Sequence, residues 1–213
     1  MNSLLSVIVL VGAAYIQHVS CETLHVAVYY ESLCPDSIRF ITKQLEPAYK
    51  HIGSNLEVDL VPYGKASQIQ QNSVWSFECQ HGPEECRGNK LQACGLAQSQ
   101  DQDQKVDFVG CVMAQNYPPA DSSITMCASR AKLNGEAIIQ CADSAKGDEL
   151  LAINGDKTHA VTPRITFVPT IVFDGVFDSI KQYGALFNFL KTACNEFQVK
   201  PMGCNARNDE FNF

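Results

Sequence analysis

Cys34-Pro35-Asp36-Ser37 is the stretch of this chain whose residue types and spacing bear most directly on chemistry. The spacing is that of a redox C-x-x-C in which the second cysteine is serine. A cysteine at the start of a helix feels unpaired backbone N–H groups and the positive end of the aligned peptide dipoles. Both favour the thiolate, the form that attacks disulfides. A second cysteine would resolve the mixed disulfide that follows, and Ser37 cannot, because a hydroxyl makes no disulfide. Release would then need an external thiol, which is reduction, or a second thiol on the substrate, which is isomerisation. Ser37 has two open roles. Its hydroxyl donates to the Cys34 thiolate, or it satisfies a free backbone N–H at the helix start. Glu31 and Asp36 oppose a thiolate when ionised, and the nearest cation in sequence is Arg39.

The elements that position this stretch follow from periodicity. Leu24 to Tyr30 alternates as a strand, with Tyr29 and Tyr30 read as strand packing. Ser37 to Leu45 reads as a helix with Ile38, Ile41 and Leu45 on one stripe, and Pro47 is expected to end or kink it. Leu56 to Pro62 alternates again. The unit is strand–helix–strand, expected parallel and right-handed. From Gly64 to about His159 strand patterns vanish and Gln, Asp, Asn and Cys are common. Val106, Val109 and Met113 fit one helix, and Ile124, Ala128 and Ala131 another. Gly135–Cys141 and Lys146–Ile153 read as short helices. Strand character returns at Arg164–Phe167 and Val168–Phe173, with Phe167 and Phe173 read as packing. Asp174-Gly175 signals a two-residue hairpin before a second arm. The last helix is expected to bury Ile180, Tyr183, Phe187, Leu190 and Cys194 on one face.

The fold class this order implies is α/β, a thioredoxin-like fold interrupted by a helical, disulfide-stapled insertion. Residues 1–20 read as a secretory signal with cleavage after residue 20 or 21; the other reading is a buried N-terminal helix. Residues 22–63 form the first half of the fold, 64–160 the insertion, 161–197 the second half and 198–213 a tail. In this fold class a proline before the third strand is cis and lies beside the redox cysteine, which is the place of Val168-Pro169-Thr170.

Composition bounds the rest. The chain has 213 residues, 46% hydrophobic, with a formal charge of -7, which argues against nucleic acid, since that partner needs a basic face. Ten cysteines fit an oxidising compartment. If Cys21 leaves with the signal, nine remain. Cys34 is then the odd thiol, beside an even set of Cys79, Cys86, Cys94, Cys111, Cys127, Cys141, Cys194 and Cys204 that makes four disulfides. Cys86 and Cys94 on one helix would lie about 12 Å apart, too far to pair with each other. Proximity favours Cys194–Cys204. Cys79, His81, Cys86 and Cys94 also have the types of a zinc site, but the compartment favours disulfides. His81 reads as a hydrogen-bonding residue in the turn at Gly82, with contact to the redox site as the other reading. Trp75 and Phe77 either support that loop or meet substrate.

The run from Cys79 to Cys94, C-Q-H-G-P-E-E-C-R-G-N-K-L-Q-A-C, resembles the signature of the interferon-gamma-inducible lysosomal thiol reductases (GILT). The family pattern is C-Q-H-G, two residues, E-C, two residues, N, four residues, C, and every fixed position matches. The resemblance implies a thioredoxin-like fold and reduction of protein disulfides at acidic pH in endosomes or lysosomes. It carries the nucleophile's role to Cys34, with Ser37 and Pro169 completing the site. Well-known members have cysteine where Ser37 stands, and no Asn-x-Ser/Thr sequon is present for glycan-based sorting. No bound cofactor or metal is expected; the reductant is an external small thiol such as cysteine or glutathione. Disulfide-containing proteins are the expected substrates. No nucleic acid, and no membrane after signal removal, is expected as a partner. Delivery is through the secretory pathway, to the outside or to endosomes and lysosomes. The rival reading is a non-enzymatic secreted binding or immune protein that keeps the fold, or a disulfide isomerase or trap.

Overall fold

The computed structural model of the chain describes residues 22–206. The leader expected at 1–20, Cys21 and the last residues of the tail lie outside the described residues. Leu24–Tyr30 (β1) pairs in parallel with Leu56–Pro62 (β2), Leu24 opposite Leu56 and Tyr30 opposite Pro62. Thr170–Phe173 (β5) runs antiparallel on the other side of β1, so the sheet order is β2-β1-β5. Side chains of β1 alternate between a buried face, with Val26, Val28 and Tyr30 at 0% exposure, and a more open one. That alternation is the period of two that the sequence shows.

The helix expected from Ser37 starts at Pro35 and does not stop at Pro47. Pro35–Phe40 (α1) passes through a π turn at Ile41–Leu45 into Glu46–Ile52 (α2). The wider turn resets the hydrogen-bond register. Pro47 then stands in the first turn of α2, where its missing N–H leaves no bond unmade. Ile41 and Leu45 are buried as their spacing implies.

Five helices cover residues 83–159: Pro83–Gln98 (α3), Gln102–Met113 (α4), Asp121–Arg130 (α5), Gly135–Ala142 (α6) and Ala145–His159 (α7). Side-chain caps start three of them. Asp101 accepts from the Asp103 and Gln104 N–H groups, Asn134 from that of Ala137, and Ser144 from that of Lys146. Four disulfides close on the eight expected cysteines: Cys79–Cys86, Cys94–Cys141, Cys111–Cys127 and Cys194–Cys204. Cys86 and Cys94 share α3 and each is tied elsewhere, as helix geometry requires.

Four expectations are corrected. The insertion holds a hairpin, Ser67–Gln71 (β3) with Val74–Glu78 (β4), turning through Asn72 and Ser73 at φ 50 and 64. It is mostly exposed, and its apolar alternation is confined to Trp75 and Phe77 on one side of β4. Arg164–Phe167 is irregular, because β5 takes the free edge of β1 and leaves it no pairing partner, and Phe167 is exposed rather than packed. Asp174-Gly175 does turn, at φ 48 and 75, but the second arm amounts to one bridge, Phe173 to Val176. The apolar stripe of the last helix, Ser179–Cys194 (α8), does not form one buried face. Ile180, Tyr183 and Phe187 are exposed, whereas Gln182, Ala185, Phe189, Leu190, Ala193 and Cys194 are buried. Asn188, at φ -153 and ψ 77, breaks the helix, and its Oδ1 accepts the Lys191 N–H at 3.0 Å as a cap does. The phase shifts there, so spacing counted across it cannot define a face.

Candidate active site

Cys34 is the one free cysteine among the described residues and is 8% exposed. It caps α1 in extended conformation, and its carbonyl accepts the Ile38 N–H at 2.9 Å. The arrangement is the strand-to-helix turn read from the sequence, and it aims the first turn's N–H groups toward the cysteine. The Cys34 Sγ lies 3.9 Å from the Val168 carbonyl oxygen, to which the thiol donates. Val168-Pro169 is cis, as expected, and Pro169 is buried. Cys34 and the cis-proline segment, far apart in sequence, therefore meet.

Gln182 of α8 holds that segment. Its Nε2 donates to the Pro169 carbonyl at 2.9 Å, and its Oε1 accepts the Ile171 N–H at 2.7 Å. One buried amide thus satisfies both sides of the turn into β5. Phe189, also on α8, packs edge-on against Phe40 of α1 and stacks on Phe173 of β5. The helix carrying the thiol and the strand following the proline share this aromatic contact.

Ser37 is fully buried, and its Oγ accepts the Glu31 N–H at 3.3 Å. The backbone N–H that Ser37 satisfies is thus at the strand end rather than in the first turn of α1. Asp36 pairs with Arg39 at 2.7 Å.

The Cys79–Cys94 run packs on the segment that leads into Cys34, residues 30–32. Gly82, at φ +83, makes the sharp entry to α3, and the Cys79–Cys86 bond staples it. Glu85, in the first turn, reaches back to the His81 N–H at 3.1 Å and to His81 Nδ1 at 2.5 Å. Glu85 thus ties down the residue before the cap, while the cap itself, Gly82, supplies no side chain. The Glu85 carbonyl accepts the Ser32 hydroxyl at 3.1 Å, and Asn89 Oδ1 accepts the Ser32 N–H at 2.9 Å. Gly88 permits the close approach, since a Cβ there would stand 2.4 Å from Ser32 Oγ. Gln92 accepts the Tyr30 hydroxyl at 2.6 Å, so Tyr30 packs within the core as read. Tyr30 and Ser32 are thus held by α3. Sequence reasoning missed Glu31, Ser32, Asn89 and Gln182 as supports of the site. The only prior signal was the fixed Glu and Asn of the signature, whose partners lie more than fifty residues away.

Glu31 is buried at the end of β1. Burial pushes its carboxyl above the ordinary glutamate range, opposed by the Lys65 N–H it accepts and reinforced by the negative charge of Glu85. His81 takes its place in the turn at Gly82, as read, and lies 3.6 Å from Glu31 Oε2. Phe77 packs beside Cys79 and Cys86 and stacks with Trp75, their centroids 6.3 Å apart.

Residues 25–131 match the family described as gamma interferon inducible lysosomal thiol reductase (GILT). The chain is 37% identical, over 84% of its length and 79% of the relative's, to a gamma-interferon-inducible lysosomal thiol reductase-like protein of Anopheles gambiae. It is 36% identical to GILT-like protein 1 of Drosophila melanogaster, over 93% of this chain and 84% of that one. The gamma-interferon-inducible lysosomal thiol reductase of Carassius auratus is 28% identical over 84% of this chain and 71% of its own. Among solved structures, DsbA of Chlamydia trachomatis superposes with a TM-score of 0.57 at 13% identity, covering 78% of this chain and 83% of that one. Reduced DsbA of Mycobacterium tuberculosis gives 0.56 at 15% identity, covering 85% and 86%. At these identities the likeness is one of fold, and it bears out the thioredoxin-like class with its helical insertion.

Proposed function

The chain belongs to the gamma interferon inducible lysosomal thiol reductase family, and we propose that in it Cys34 is the attacking thiol of a reductase released by an external thiol. As a member it is a thiol-disulfide oxidoreductase, an enzyme acting on disulfides. The observation that carries the proposal is that Cys34 stays unpaired while eight other cysteines close four bonds.

The chemistry follows from what surrounds that sulfur. The Cys34 thiolate attacks one sulfur of a substrate disulfide; the other leaves as a thiolate and takes a proton. A mixed disulfide between Cys34 and substrate results. Ser37 offers no sulfur and its oxygen already accepts the Glu31 N–H, so no intramolecular step can follow. One small thiol displaces the substrate, now fully reduced, and leaves itself bonded to Cys34. A second small thiol regenerates the Cys34 thiol and departs as the oxidised dimer. Two electrons reach the substrate and two thiols are oxidised to one disulfide. The Val168 carbonyl, which precedes the cis Pro169, stands against the sulfur and accepts from its thiol.

Protein disulfides are the proposed substrates, cysteine or glutathione the proposed reductant, and an acidic endosomal or lysosomal lumen, or the outside, the proposed location. The relatives' printed names support the lysosomal half of that reading. No described helix is long and apolar enough to cross a membrane. Quenching a reaction with a disulfide-linked protein in acid and mapping the adduct by mass spectrometry tests the assignment. Substrate should be found bonded to Cys34, and the adduct should disappear on adding free cysteine. An adduct at any other cysteine, or none, would refute it.

A further inference from the structure

Outside the Cys34 site, one cluster joins the end of β1 to the entry of α3. Glu31 and Glu85 are both 0% exposed and face the single imidazole of His81. Fully ionised, the two buried carboxylates have one imidazole in contact and the Lys65 ammonium farther off, and incompletely compensated charge away from water is costly. Glu85 has partners for both oxygens in the His81 N–H and Nδ1. Glu31 has one: its Oε1 accepts the Lys65 N–H at 2.8 Å. Its Oε2 is buried without a hydrogen-bond partner, and it points into the cluster, 3.6 Å from His81 Nδ1. Glu31 cannot readily turn away, because Gly64, at φ +64, lies so close that a Cβ there would be 2.2 Å from Glu31 Cγ.

We propose that Glu31, His81 and Glu85 bind one divalent transition-metal ion, with zinc as the fitting case, between β1 and α3. Glu31 Oε2, His81 Nδ1 and Glu85 Oε2 all lie within 4.8 Å of one another. Ligands on one tetrahedral zinc stand about 3.3 Å apart for bonds near 2.0 Å. The Glu31–His81 separation of 3.6 Å is close to that, and the 2.5 Å His81–Glu85 contact has to open by less than one ångström. Carboxylate and imidazole are the ligand types zinc takes when thiolates are absent. The ion gives Glu31 Oε2 its missing partner and offsets the paired negative charge. The side chain of His81 is 39% exposed, which leaves a way in from solvent and a position for water as fourth ligand. The ligands differ from the cysteine set weighed from the sequence, whose cysteines are spent in disulfides. Bound there, the ion ties the segment leading to Cys34 to the signature helix.

The test is equilibrium dialysis against zinc near pH 7, using the full mature chain carrying Cys34→Ser so that no free thiol competes. Cobalt(II) absorption serves as a second probe of the coordination geometry. One equivalent should bind, and Glu31→Gln and His81→Ala should each weaken it by about tenfold or more. Circular dichroism establishes that each variant is folded. If Glu31→Gln proves unfolded, His81→Ala decides, since that side chain is partly exposed. Absence of stoichiometric binding, a proton alone filling the site, would overturn the proposal, as would equal binding by the folded variants.

Discussion

At the scale of single residues, the site turns on a sulfur and an oxygen three positions apart. Ser37 is buried and bonded to the end of β1, so it has a structural use that cysteine would serve poorly. Even so, Ser37→Cys should change the chemistry. A thiol at that position can attack the Cys34 mixed disulfide, so substrate should be released without added thiol. On a non-reducing gel the parent adduct should persist until cysteine is supplied, while that of the variant should decay unaided. Equal persistence would show that position 37 cannot reach Cys34. Glu31 makes a second prediction. Its folded carboxyl binds a proton more tightly than the unfolded one, because burial disfavours the charge. Stability should therefore fall as pH rises from the ordinary glutamate value of 4.5 through the raised folded value. With metal chelated, Glu31→Gln should flatten that decline. Denaturant melts of both proteins across this window measure it, and parallel curves would contradict the assignment.

At the scale of elements, α3 positions the nucleophile's approach and α8 positions the proline. Asn89→Ala removes the acceptor of the buried Ser32 N–H, which should cost about 1–3 kcal/mol of stability. Activity should fall beyond what unfolding explains, since Ser32 leads into Cys34; a destabilised variant with full kcat would limit α3 to scaffolding. Much at this scale was legible in the sequence. Alternation placed β1 and β2, the strand-to-helix turn placed Cys34, and parity of the cysteines left it as the free thiol. Pro169 was found from its place before β5. The rest depended on tertiary partners. The grip of Glu85 and Asn89 on Ser32 and the clamp of Gln182 on Pro169 join distant segments, and no local pattern announces them. The buried face of α8 was misread because Asn188 breaks the helix within an apolar stripe that continues unbroken in sequence. The β3–β4 hairpin escaped because β3 is polar and largely exposed, and the Trp75–Phe77 alternation of β4 is too short to read by itself.

At the scale of the whole molecule, three disulfides staple the helical insertion internally and a fourth ties the end of α8 to the tail of the thioredoxin-like core. Chain-entropy reasoning ranks them by loop length. Removing Cys94–Cys141, which are 47 residues apart, should cost about 4 kcal/mol, and removing Cys79–Cys86, 7 apart, about 2.5 kcal/mol. Urea melts of the paired Cys→Ser variants check the order, and the reverse order would show that folded-state packing at the signature outweighs loop closure. The same staples leave one sulfur free for function, and that is the central claim. The measurement that tests it most directly is multiple-turnover reduction of a disulfide-linked protein at about pH 5, the acidic range proposed for this enzyme. Free cysteine is varied, and the parent is compared with Cys34→Ser. The account predicts a rate that rises with cysteine concentration in the parent and falls to the uncatalysed level in the variant. Equal rates in the two proteins, or a parent that stops after one equivalent of substrate despite excess cysteine, would contradict it.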